Sequence, residues 1–235
     1  MKKDPGEYDL VNGEVLLIDK AEDWTSFDVV NYLRSGLSRY LGIKRLKVGH
    51  AGTLDPMATG LLIVCTGKFT KRINELQDMD KTYTGTIFFG ATTPSFDRES
   101  EPDAFYPLEH ITDDMIHGIC AKFTGELDQV PPLYSAIHID GQRAYKLARK
   151  GGGNEITLPP RRITIHELSF TRIALPEADF VVRCSKGTYI RSLARDIGTA
   201  LDSGAYLSAL RRTAIGTFSV DNAMDAKDFL SLFQK

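Results

Sequence analysis

The twelve residues Gly49-His-Ala-Gly-Thr-Leu-Asp-Pro-Met-Ala-Thr-Gly60, followed directly by Leu61-Leu-Ile-Val-Cys65, constrain this chain more than any other segment. The Asp-Pro step at 55 and 56 disfavours helix, because the residue before proline is pushed out of the α region. Gly49, Gly52 and Gly60 permit the sharp backbone directions that a turn demands. The apolar run that follows has the length and composition of an interior strand. A glycine-rich turn therefore presents one carboxylate, Asp55, just ahead of a buried strand.

The elements around this turn can be read from periodicity. Glu14-Val-Leu-Leu-Ile-Asp19 reads as a short buried strand, and Thr25-Ser-Phe-Asp28 has the form of a capping box. The helix it opens has Val29, Val30, Leu33 and Leu37 on one face. Lys81 to Gly90 alternates, with Tyr83, Ile87 and Phe89 on one side and threonines on the other, which predicts a strand. Asp179 to Ser185 predicts another, feeding through Gly187 a helix with Ile190, Leu193, Ala194, Ile197 and Leu201 inward. A last strand over Ala214–Val220 and a short helix over Asp225–Phe233 follow. Strands and helices mix without regular β-α-β alternation, which predicts an α+β fold around a mainly antiparallel mixed sheet flanked by helices.

Between Val130 and Pro160 the chain is rich in Gly, Pro and basic residues, with a short helical pattern over Ala144–Arg149. Its length marks it as an excursion carrying function. No linker separates two apolar patterns, so one domain over residues 1–235 is expected.

Several chemistries are ruled down. The three cysteines, Cys65, Cys120 and Cys184, lack a C-x-x-C pair and sit among apolar residues, which predicts buried structural thiols and no disulfide framework. There is no His-Glu-x-x-His motif, and Gly60 to Lys68 has the wrong spacing for a phosphate loop. Neither a metal nor a cofactor is expected. No run approaches membrane-spanning length, and the N-terminus carries no apolar stretch after its lysines, so a soluble, cytoplasmic protein is expected.

The net charge of −2 is not the footprint of a protein that binds nucleic acid with its whole surface, so any RNA site is a local patch. Basic residues do cluster, at Lys44, Arg45 and Lys47; at Lys68, Lys71 and Arg72; at Arg143, Lys146, Arg149 and Lys150; at Arg161 and Arg162; and at Arg211 and Arg212. Acidic residues concentrate from Asp97 to Asp103. Solvated helix faces produce the same clustering.

A carboxylate serving as nucleophile or base must be held rigidly with an open approach, and the turn around Asp55 supplies both. Taken by itself, an Asp before Pro is better read as an Asx turn bonding its own backbone. Four segments in one order change the balance: Gly49 to Leu62, Lys81-Thr-Tyr83, Cys184-Ser-Lys-Gly-Thr-Tyr-Ile-Arg-Ser-Leu193 and Leu210-Arg-Arg212. Together they closely resemble the TruB family of tRNA pseudouridine synthases, over a span from about Leu16 to Val220.

The resemblance implies the pseudouridine synthase fold, no cofactor, and isomerisation of a uridine in the T loop of tRNA. That reaction breaks the N1–C1′ bond, turns the base and rejoins it through C5. Asp55 matches the family's catalytic aspartate; attack on the base and proton removal from the sugar both stay open. The target must be flipped out of the folded loop at a cost of a few kcal/mol, about what one base–aromatic stack of roughly 1–3 kcal/mol returns. Tyr83 matches the stacking tyrosine, and Arg191 matches the guanidinium expected to keep the carboxylate ionised. Tyr189 matches a contact to the flipped nucleotide, Leu210 an apolar wall of the uracil pocket, and His50 a ring that fills the vacated space.

The excursion over 130–160 resembles a thumb loop, and its Arg143, Lys146, Arg149 and Lys150 are candidates for phosphates of the T arm. The partner implied is tRNA, and a monomer is expected. Two departures stand out. The family's Lys-Pro-x-Gly reads Lys20-Ala-Glu-Asp23 here, so Lys20 survives as a substrate-binding candidate while the loop shape is in question. After Ser219-Val-Asp-Asn-Ala223 and one helix, no counterpart of the family's C-terminal RNA-binding PUA domain is expected. An RNA-binding folding helper has no need of Asp55, and a glycoside hydrolase needs a second acid for which no motif is seen.

Overall fold

The computed structural model describes residues 4–134 and 158–233, with the backbone alone of 138–139 and 142–143. The expected helix over Ala144–Arg149 lies outside them, as do Lys146, Arg149 and Lys150; of Arg143 only the backbone is described. The fold is α+β with a mainly antiparallel mixed sheet, as the mixing of patterns predicts. Its residues group into two compact units, Met1–Tyr83 with Leu210–Lys235, and Thr84–Ala209. Strands β4 (Lys81–Phe89) and β12 (Ala205–Ile215) each begin in one unit and end in the other.

The first unit is built on β3 (Thr59–Thr66), seven of whose eight residues are buried. β1 (Val15–Lys20) pairs antiparallel with it from Val15 opposite Cys65 to Lys20 opposite Gly60. β2 (Val48–Ala51) pairs antiparallel with its C-terminal half, and Arg211 and Arg212 of β12 pair parallel with Thr59 and Gly60. Both faces of β3 are covered, which is why it reads as a continuous apolar run and not as an alternation. Leu62 and Val64 join a cluster with Val29, Val30, Leu33 and Leu37 of helix α1 (Ser26–Tyr40). Leu61, Ile63 and Cys65 face the other way, against Ala51, Leu76 and Ile215. Helix α1 starts as its capping box predicts: Thr25 Oγ1 accepts from Asp28 N–H, and Asp28 Oδ2 from Thr25 N–H.

In the second unit the strand order is β4, β11 (Glu177–Cys184), β10 (Arg161–Ala174), β7 (Gly125–Gln129). β10 is antiparallel to both its neighbours. Helix α3 (Asp113–Lys122) packs on β10. Helix α4 (Ile190–Ala200) buries Ile190, Leu193, Ala194 and Ile197, the face its spacing predicts, and Leu201 just beyond. The expected strand over Ala214–Val220 is the end of β12, a turn at Gly216, and the two-residue strand Phe218–Ser219 paired back on it. Glycine in its left-handed conformation, φ 53°, ends the extended run there.

Candidate active site

Asp55 sits between β2 and β3, half-buried, in a β-turn closed by Ala58 N–H donating to the Asp55 carbonyl at 3.1 Å. Pro56 occupies the second turn position, where its fixed φ is already suited. The loop is held from outside itself. Ser26 Oγ, at the start of α1, accepts from Leu54 N–H at 2.8 Å and donates to Leu54 C=O at 3.1 Å. Lys20 Nζ, at the end of β1, donates to the carbonyls of Ala21, Trp24 and Pro56 at 2.9, 2.5 and 3.1 Å. Arg212, on β12, donates to Leu61 O at 2.7 Å and Gly52 O at 3.0 Å, joining the two ends of the loop.

Lys20 is fully buried and Arg212 is 1% exposed. Arg212 was expected to belong to a basic surface patch, and the structure corrects that: it satisfies main-chain acceptors that would be costly to leave without donors. Its neighbour Arg211 forms a bidentate pair with Asp19, at 3.0 and 2.7 Å. Lys20 was expected at the substrate; the bonds described make it an anchor for the residue after Asp55.

The Lys20-Ala-Glu-Asp-Trp24 segment makes a left-handed turn without glycine. Asp23 takes φ 64°, a conformation aspartate tolerates better than most residues, and its N–H donates to Pro56 O at 2.9 Å. Trp24 packs edge-on against Tyr32 at 5.5 Å and lies under the Lys227 ammonium at 5.8 Å.

His50 stands on β2 opposite Val64. Among the described residues its Nδ1 is buried without a hydrogen-bond partner. Desolvation first, and the Arg212 charge second, hold its imidazole below the usual histidine range. Tyr83 (8% exposed) and Leu210 are buried in the same unit, near the start of β4 and within β12. The first unit therefore brings Lys20, Asp55 and His50 onto one hairpin and its anchors.

Tyr189 and Arg191 belong to the second unit. Tyr189 precedes α4, and the buried Gln129 side chain holds its backbone twice, accepting from Tyr189 N–H at 2.8 Å and donating to its carbonyl at 3.1 Å. Arg191 is buried, donating to Ser95 O at 3.1 Å and to Tyr134 O at 2.9 Å, with its Nη1 3.3 Å from Asp97 Oδ2. Asp97 is fully buried and also accepts from Ser95 Oγ and Glu99 N–H. Asp97 opens the acidic Asp97–Asp103 stretch, and nothing in that stretch marks it as the counterion of an arginine in α4. Ser192 Oγ donates to Val130 O at 2.8 Å, so α4 also grips the start of the 130–160 excursion. Of the cysteines, Cys65 and Cys184 are buried as expected and Cys120 is half-buried. Among the described residues, no group of three or more His, Cys, Asp or Glu side chains could hold a metal ion.

A turn that fixes the backbone of one carboxylate while leaving it half-exposed suits a base or nucleophile for a bound substrate, and comparison with known proteins gives the class. Residues 38–190 match the family model described as TruB family pseudouridylate synthase (N terminal domain), and residues 191–235 that of the tRNA pseudouridylate synthase B C-terminal domain. A protein of Flavobacterium johnsoniae named tRNA pseudouridine synthase B is 55% identical over 232 residues, covering 98% of each chain. Its namesake in Chlorobium chlorochromatii is 47% identical, over 92% of this chain and 84% of that one. Among solved structures, a chain of a Cbf5-Nop10-Gar1 complex superposes with TM-score 0.70 at 28% identity, covering 94% of this chain and 54% of that chain. This chain thus spans about half the length of that solved chain. The fold and family are those of pseudouridine synthases, enzymes that isomerise uridine in RNA. Within that class the chain belongs to the TruB family.

Proposed function

We propose that this enzyme converts a uridine in the T loop of tRNA to pseudouridine, with Asp55 as the catalytic carboxylate. The observation that carries the reading is Asp55 itself, set in a loop whose backbone is anchored from three other elements, in a chain of this family. Rigid placement is what a group acting on one atom of a flipped nucleotide requires, since small displacements are costly in rate. Tyr83 stacks on the extruded uracil and Leu210 lines its pocket. His50 fills the space the base leaves. Tyr189 is assigned a contact to the flipped nucleotide, and Arg191 the guanidinium that the chemistry calls for.

Arg143, Lys146, Arg149 and Lys150 take the T-arm phosphates, which makes affinity fall with salt. The enzyme acts as a cytoplasmic monomer without metal or cofactor, because an isomerisation needs neither redox equivalents nor an activated water.

Tritium release from a T-arm RNA labelled at C5 of its uridines tests the reading. Release is expected from the wild type and none from Asp55→Asn, which keeps the shape and removes the charge. Binding of the RNA by the wild type without release would refute the enzymatic reading and leave an RNA-folding helper.

A further inference from the structure

We infer that Ser26 is a positioning residue for Asp55: its hydroxyl fixes the direction in which the carboxylate leaves the backbone. The inference rests on the reading of Asp55 as the catalytic group. Four successive peptide units around Asp55 are anchored. The Leu54 N–H and C=O are both bonded to Ser26 Oγ, the Asp55 C=O accepts from Ala58 N–H, and the Pro56 C=O accepts from Lys20 Nζ and Asp23 N–H. The Leu54 carbonyl belongs to the peptide on the N-terminal side of the Asp55 Cα, and the Asp55 carbonyl to the one on its C-terminal side. Holding both planes sets φ and ψ of Asp55, and with them the Cα–Cβ direction. Removing the hydroxyl frees one of these planes.

Three features separate Ser26 from an ordinary buried serine. It stands at the first position of a 15-residue helix, whose end is itself closed by the Thr25–Asp28 capping box, so the hydroxyl is carried by a rigid element. It is 2% exposed and bonds Leu54 as both donor and acceptor, so the loop cannot trade it for water. Leu54, 3% exposed, is buried beside it. Ser26 touches nothing of the substrate in this scheme and acts only through Asp55.

The experiment compares wild type, Ser26→Ala and Ser26→Cys in single-turnover pseudouridine formation on T-arm RNA, with RNA affinity and thermal melting measured in parallel. Ser26→Ala is expected to lose about 10- to 100-fold in rate, the usual consequence of misplacing a reacting group by about an ångström. RNA affinity should be unchanged. Ser26→Cys, similar in size with a weaker donor and acceptor, should fall between; it decides the matter if the alanine variant does not fold. Variants that turn over at the wild-type rate overturn the role of Ser26 and leave that of Asp55 intact. Rate and affinity falling by the same factor also overturn it, as that marks general loosening of the site. A wild type that binds RNA and forms no pseudouridine overturns the reading of Asp55 and this inference with it.

Discussion

Gly60 closes the loop that carries Asp55, and its replacement by alanine gives a quantitative test of how that loop meets β12. Gly60 has φ 101°, where an L-residue is strained, and a left-handed conformation costs a residue bearing Cβ about 1–2 kcal/mol. A Cβ there would also lie 2.3 Å from the Arg212 carbonyl oxygen and 2.8 Å from its nitrogen. Those are backbone atoms of the paired strand, so relief requires moving β3 from β12, an overpacking cost of about 1–3 kcal/mol. Together the two effects amount to about 2–5 kcal/mol. At about 2–4 °C per kcal/mol for a chain of this size, Tm should fall by about 10 °C.

The control is Gly118→Ala in α3, where an added Cβ would meet nothing within 4 Å and φ is not positive. Alanine gains about 0.5–1 kcal/mol over glycine in a helix interior, so this variant should melt about 1–4 °C higher. Circular dichroism melts read both. A Gly60→Ala variant melting within about 2 °C of wild type would refute the close approach of the two strands.

Three further outcomes follow from other parts of the fold. The His50 imidazole is held below its usual value, so the unfolded chain binds the proton more readily. Stability should therefore fall as pH drops from about 6.5 towards the lowered native value, and less steeply in His50→Asn; parallel melts across that range show it. Burial pushes the Cys65 thiol up to about 11 and also raises that of Cys120, which is only half-buried; mass spectrometry after alkylation of the native protein should find Cys120 modified first and Cys65 spared. Thr25→Ala removes the cap of α1 and should cost about 1 kcal/mol, seen as a fall in Tm of about 2–4 °C; an unchanged Tm would mean the capping box adds nothing.

What could be read in the sequence is what rests on local pattern. The apolar run of β3, the alternation of β4 and the box opening α1 all depend on neighbours a few positions apart, and each was legible. β2 escaped because Gly49 and Gly52 make a turn the natural reading of its residues, whereas long-range pairing with β3 makes a strand. The 14-residue β10 escaped because register shifts after Ile165 and Phe170 break its alternation. At the candidate site, Asp55 was legible through its motif. Its supports were not, since Ser26 lies 28 positions from Leu54 and Arg212 160 from Gly52. Arg191 and Asp97 likewise meet only in the folded chain. Charge in a sequence argues for solvent, and only the fold shows where a buried arginine or lysine finds its acceptors.

Lys20 grips oxygens that every amino acid carries: the three acceptors of its ammonium described above are all peptide carbonyls. Such an anchor is blind to the side chains it holds. Ala21 can stand where the family resemblance implies proline and Asp23 where it implies glycine, provided the chain still bends through a left-handed step. This stretch is thus free to drift in spelling while its geometry stays put, and Trp24 can use that freedom to pack on Tyr32.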